Sequence, residues 1–350
     1  MKKKINKPAC QRSIRNRTGR FFVAVVLVLA IQQGFSQQLG LYTNYLLNDF
    51  YYNPAIAGTR DVYVANLNYR NQWSGFNEAP KTYMASVYGS WKNKRKVGLG
   101  ASITGDRAGL TSKTGVYLTY AYHFNLTEKL RLSFGAQAGY QQYRIRLYDA
   151  RVVDGGDDML TGNVTSLSAL DMNAGVYLYH PKFFLGGSGF QLLNNRFKSS
   201  TTSNLYAGNN TNSTLTAHFY VMGGVNIKVN KKNTIQPSFL IRQNGPVPYQ
   251  ADLSVRWLYD SKFWVGATYR TSDAYCVLAG FNYKDLFNIG YSYDTPFTNM
   301  KRYSMGSHEI WLSWTINKKK KTLDEEDEEI NNGVHDLFKQ KKQTEDEKKK

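Results

Sequence analysis

Apolar and polar residues alternate with a period of two through most of the chain from residue 61 to residue 317. That is the spacing of a strand with two unlike faces. In Leu130–Gln141 the even positions are apolar and the odd ones polar or Gly; Tyr249–Trp257 repeats the pattern with Asp252 and Arg256 on its polar face. Ala217–Val221 does the same and runs on to Val229, with Asn226 and Lys228 on the polar side. The pattern predicts strands at 61–70, 81–91, 96–106, 113–124, 129–146, 167–180, 183–193, 217–229, 233–242, 249–259, 262–270, 274–283, 286–294 and 307–317. Most are close to the roughly 9–11 residues with which a tilted strand crosses a bilayer, and the total is even, as in bacterial single-chain barrels.

The links between these strands have a parity. Those after the even strands are short: Asn93-Lys94-Arg95, Leu126-Thr127-Glu128, Pro181-Lys182, Asn230-Lys231-Lys232, Asp260-Ser261 and Lys284-Asp285. Those after the odd strands are often long, as at 71–80, 147–166, 194–216 and 295–306, with 271–273 the one brief exception. Short periplasmic turns and long outer loops are the habit of outer-membrane barrels. The expected fold is therefore all-β, a transmembrane antiparallel β-barrel of about 14 strands with both termini in the periplasm.

Aromatic residues fit that setting. Tyr69, Trp73, Tyr88, Trp91, Tyr120, Tyr122, Tyr140, Tyr143, Trp257, Tyr259, Tyr291, Tyr293, Trp311 and Trp314 fall at or near strand ends, where rings meet a membrane interface. On the same register Arg131, Gln137, Asp171, Asn173, Asn226, Asp252, Arg256, Arg270, Asn282 and Asn288 point into the lumen. A barrel of this size admits either a narrow pore or a plug. A soluble propeller would need a regular internal repeat, and the chain has none.

Composition supports the barrel. The chain has 26 Tyr and 29 Gly but 2 Cys and 8 Pro, and its mean hydropathy is -0.49, as expected where lumen and lipid faces alternate. Its net charge of +19 owes much to the first 36 residues, which hold eight basic groups and no acid; without them 37 basic residues face 26 acidic ones. The remaining cations are dispersed among strand ends and turns, which excludes a nucleic-acid footprint. The beginning of the chain has the three parts of a secretory signal: a basic stretch to Arg20, the apolar run Phe21–Ile31 and a small-residue exit at Gly34-Phe35-Ser36. Its eleven apolar residues are too few for a helical span. Cleavage before Gln37 would remove Cys10 and leave Cys276 alone.

The domain reading is a signal peptide at 1–36, a periplasmic lead at 37–60, an outer-membrane barrel at 61–317 and a charged periplasmic tail at 318–350. In the lead, Pro54 and Gly58 frame a tight path that tucks into or beneath the barrel. Residues 317–350 carry ten Lys and ten acidic residues, including the run Asp324–Glu329. They read either as a solvated tail or as a docking segment in which Ile330, Val334, Leu337 and Phe338 form one helical apolar face.

No enzyme motif stands out. The five His are scattered without metal spacing, and there is no nucleophile elbow or phosphate loop. No cofactor is called for. Asp154-Gly155-Gly156-Asp157-Asp158, in an outer loop, reads as an acidic turn or as a calcium site.

The blocks Asn53-Pro54-Ala55-Ile56-Ala57-Gly58 and Tyr69-Arg70-Asn71-Gln72-Trp73 resemble the PorP/SprF proteins of the Bacteroidetes type IX secretion system. The motif positions are Asn53, Pro54, Ala55, Ala57, Gly58, Arg70, Gln72 and Trp73. The resemblance implies an outer-membrane component of the secretion and gliding machinery that supports export or display of large surface proteins with C-terminal sorting domains. Its partners would be that cargo, periplasmic secretion components and outer-membrane lipid. The alternative is a porin-like channel for small solutes.

Overall fold

A computed structural model describes residues 40–316, apart from 76, 92–95, 147–163, 196–197, 200–214 and 245–247. Alternating sequence becomes alternating exposure. In β4 (Thr111–Asn125) Val116, Leu118, Tyr120, Tyr122 and Phe124 face outward, while Tyr117, Thr119, Ala121 and His123 are buried inward. Leu118 is 68% exposed and Leu170 64%. A continuous apolar outer surface of this kind is what a lipid-facing wall requires.

The wall is a closed antiparallel barrel of fourteen strands. The strands before β4 are β1 (Val64–Asn71), β2 (Lys81–Ser90) and β3 (Val97–Ala108). After it come β5 (Arg131–Arg146), β6 (Val164–His180) and β7 (Phe183–Phe190). β8 runs over His218–Val225 and resumes as Ile227–Lys228 past Asn226. β9 (Asn233–Asn244), β10 (Gln250–Tyr259), β11 (Phe263–Arg270), β12 (Ala274–Tyr283), β13 (Phe287–Pro296) and β14 (Ser307–Thr315) complete it. Each strand pairs with its neighbours in sequence, and β14 closes on β1 with Val64 opposite Thr315 and Asn71 opposite His308. The two-residue strand Lys198–Ser199 pairs with β6 outside this circuit. Closure leaves no open edge, so every strand finds its backbone partners within the bilayer.

Two tight turns at the short-link end, Asp260-Ser261 and Lys284-Asp285, hold both central residues at positive φ, which matches the twist of the flanking strands. At the long-link end β3 and β4 extend further than their alternation predicts and meet across Gly109-Leu110. That end therefore has a second brief link besides 271–273. Two aromatics expected at the interface face inward instead. Tyr88 is 3% exposed and stacks on Phe50, and Trp311 is 4% exposed. Both follow the parity of their strands, which outweighs the aromatic's preference for an interface.

The lead fills the barrel. From Tyr42 to Ala57 it is largely buried, and its Tyr42, Tyr45, Phe50, Tyr52 and Ile56 share one apolar core with Met84, Tyr88, Tyr177, Tyr220 and Leu240 of the wall. Of the two paths open to the lead, into the barrel or beneath it, the chain takes the first and forms a luminal plug. It contains one helical turn, α1 (Asp49–Tyr52), and a 3-10 turn at Pro54–Ile56.

Candidate functional site

The plug meets the wall at two levels. The lower one, toward the short turns, is built from the first motif block. Pro54 starts the 3-10 turn with φ already set, and the Asn53 side chain caps it, its Oδ1 accepting from Ala55 N at 2.9 Å. The other end of the same amide donates to Val176 O of β6 at 2.9 Å. Ser133 Oγ of β5 donates to Ala55 O at 2.7 Å, and His123 Nε2 of β4 lies 2.8 Å from Ala57 O. A carbonyl only accepts, so that imidazole nitrogen carries the proton.

The wall is cut back to receive this turn. A Cβ at Gly135 would overlap the backbone between Pro54 and Ala55, and one at Gly98 would overlap the Ala57 carbonyl. Glycine at these two positions is therefore a condition of seating the plug. Gly58 then turns the chain out with φ +85°, a conformation glycine adopts without strain.

The upper level is a buried charge network centred on Thr43. Arg70 of β1 places one guanidinium nitrogen 2.7 Å from Asp294 Oδ2 and the other 3.2 Å from Glu309 Oε2. Arg270 of β11 reaches Asp294 at 3.1 Å and Asp252 at 3.2 Å, and Arg242 of β9 reaches Asp252 at 2.6 Å. The Thr43 hydroxyl donates to Asp294 at 2.6 Å and accepts from Arg70 at 2.8 Å and Arg270 at 3.0 Å. Glu309 takes the backbone N–H of Thr43 at 2.6 Å and of Asn44 at 3.2 Å. These three cations and three anions are all buried. Such charges are tolerated out of water only when each is paired and hydrogen-bonded.

The motif residues thus divide. Asn53, Pro54, Ala55, Ala57 and Gly58 form the lower seat, and Arg70 belongs to the upper network. Gln72 and Trp73 lie past the end of β1, where Gln72 N donates to Pro80 O at 2.8 Å and Trp73 N to Ser307 Oγ at 3.0 Å. Of the expected luminal residues, Gln137, Asp171, Asn173, Asp252 and Arg270 are fully enclosed, while Arg131, Asn226, Arg256, Asn282 and Asn288 are half-buried. Cys276 is a small, buried inward residue. Asp294, Glu309, Arg242 and Thr43 were not among the candidates; inward parity alone points to the first three, and nothing local marks Thr43.

Burial also acts on the plug's ionisable groups. It raises the Asp49 carboxyl above its ordinary range, against the pull of Arg60 4.0 Å away. It pushes the Tyr45 phenol up to about 12.

No nucleophile and base converge at either level. Among the described residues, no group of three or more His, Cys, Asp or Glu is placed to hold a metal ion. The acidic turn Asp154–Asp158 and the apolar set Ile330, Val334, Leu337 and Phe338 lie outside the described residues. What the two levels do chemically is hold a plug.

The family model described as "Type IX secretion system membrane protein PorP/SprF" matches residues 34–314, which takes in the plug and nearly the whole barrel. The chain belongs to this family. No relative is found among curated proteins. Solved structures with a similar course include the toluene transporter TbuX of Ralstonia pickettii, at 10% identity and TM-score 0.46, covering 77% of this chain and 93% of that one. The CymD monoaromatic hydrocarbon channel gives 10% identity and TM-score 0.47, with 79% and 94% covered. The toluene transporter TodX of Pseudomonas putida gives 9% and 0.42, with 81% and 96% covered. As a PorP/SprF protein with this wall, the chain is an outer-membrane component of type IX secretion.

Proposed function

We propose that this PorP/SprF protein works as a binding and assembly component of the secretion machinery, in a structural or transport role rather than a catalytic one. Its cargo would be large surface proteins with C-terminal sorting domains, and its machinery partners would be periplasmic. In this reading the short turns face the periplasm, the long loops 147–166 and 194–216 meet cargo outside, and the tail at 318–350 meets machinery inside, with Ile330, Val334, Leu337 and Phe338 as its contact face.

The observation that carries the reading is the filled lumen. A porin-like channel needs a continuous wet path, whereas here residues 42–57 occupy the bore and are fastened to the wall at two levels. This supports a role carried by surfaces rather than by a pore.

Affinity purification of the tagged full-length protein from its native membrane tests it. A surface protein or a periplasmic secretion component should copurify, and recovery of neither sinks the proposal. Planar-bilayer recording supplies the second arm: a steady open pore of porin size in the unmodified protein would favour the small-solute channel.

A further inference from the structure

Below the plug, at the short-turn end, the barrel holds a cavity of about 1660 Å³ including its open mouth. Its walls are amphipathic. Leu46 and Leu47 of the plug face Trp264 and Trp311 of the wall, and Arg60 and Arg256 supply charge. Arg60 is 59% exposed, and its nearest carboxylate, Asp49, is 4.0 Å away. Arg256 bonds to Gln236 Oε1 at 3.0 Å and lies over the Trp264 ring at 5.5 Å, but pairs with no carboxylate among the described residues. Asp61 and Asp285 also line the cavity. The surrounding turns add Lys129, Lys182, Lys231, Lys232 and Lys284, against Glu128 and Asp260. The mouth is therefore basic, with an apolar interior behind it.

The chain leaves the barrel at this mouth. Thr315, the last residue of β14, is itself part of the cavity lining. The six consecutive acids Asp324–Glu329 follow nine residues later. A connection of that length spans at most roughly 30 Å, enough to return to the opening beside it. A tether this short holds the acids near the cavity at an effective concentration on the order of millimolar. A weak pairing of like composition in a separate molecule would have to compete with that.

We propose that the acidic run Asp324–Glu329 seats in this cavity in the same molecule, its carboxylates against Arg60 and Arg256. The apolar positions 330–338 lie beyond the run and stay available to a partner. The inference does not depend on the secretion reading, since it concerns only this chain.

The test uses the full-length protein in detergent micelles, with a photo-crosslinking phenylalanine analogue at position 258, whose Leu lines the cavity. Illumination followed by proteolysis and mass spectrometry should recover a link to the peptide carrying 324–329, within the monomer band. Neutralising all six acids (Asp→Asn, Glu→Gln) should lower the yield about tenfold, as should the pair Arg60→Glu and Arg256→Glu. High salt should lower it as well, because the pairing is partly exposed. The six acids follow the last strand in sequence, so neutralising them changes no residue of the barrel and keeps the test valid if the arginine variant fails to fold. A link that survives neutralisation, a link found only in dimers, or no link to the tail overturns the proposal. Survival would mean that the short tether, and not the carboxylates, brings the run to the cavity.

Discussion

The Arg70 guanidinium stands 2.7 Å from the Asp294 carboxylate, both in the barrel interior and both bonded to the Thr43 hydroxyl of the plug. The pair spans β1 and β13, which are separated by β14, and so ties the closing seam of the barrel to the segment inside it. Because Arg270 shares Asp294, the seam's charges and those of β9–β11 form one unit. Plug and wall are thereby fastened by groups that are costly to expose singly.

Removing one charge should show this. Arg70→Ala leaves Asp294 and Glu309 short of a partner, and breaking a buried pair in that way typically costs about 3–5 kcal/mol. The expected result is a lower unfolding midpoint in detergent together with raised bilayer conductance as the plug loosens. Arg70→Lys keeps the charge but not the planar fork that serves Asp294, Glu309 and Thr43 together, so conductance should remain raised. An Arg70→Ala protein as stable and as closed as the parent would remove the network from the account.

Thr43 offers a smaller probe of the same level. Thr43→Val keeps the shape and deletes a hydroxyl that makes three hydrogen bonds. Leaving buried charged partners short costs about 1–3 kcal/mol. Thr43→Ser, which keeps the hydroxyl, should restore most of the loss in the same denaturation series. Equal loss in both variants would assign the effect to the methyl group instead.

At the lower level the prediction is steric. Gly135→Val puts side-chain atoms where the Pro54–Ala55 backbone now lies. Overpacking of this sort costs about 1–3 kcal/mol, and the plug is the part free to move. The barrel should still show heat-modifiable migration on a gel, while conductance rises and protease cleaves within 42–57. An unchanged, protected plug would mean the wall gives way instead.

The wall was legible because its signal is repeated: fourteen alternating segments give the strand count, and Arg270 and Asp252 fall on the inward register by the same rule. Tyr88 and Trp311 were misplaced where residue type was weighed above parity. The plug was harder to read. Leu41–Gly58 has no regular period, because each of its side chains is fitted to a different strand at a different depth, and Thr43 acquires its role only when residues some 250 positions away are brought beside it. Pro54 and Gly58 announced a tight path, but its seat depends on Gly98 and Gly135, whose importance lies in what approaches them.

Asp49 gives the plug a dependence on pH with a definite sign. Burial raises its carboxyl, opposed by Arg60 and by the Phe50 N–H that it accepts at 2.8 Å. The folded protein therefore keeps this proton to higher pH than the unfolded chain, and stability falls as pH rises from the ordinary carboxylate range through the raised value. Asp49→Asn removes the charge while its side-chain oxygen can still accept from Phe50. It should melt at a higher temperature than the parent at pH 7–8, with the difference closing as pH falls toward about 4, where the parent carboxyl is also neutral. Tryptophan fluorescence melts across that range measure it. A variant less stable than the parent at neutral pH would show that the pairing with Arg60 outweighs burial, and that the plug is held at this point by charge.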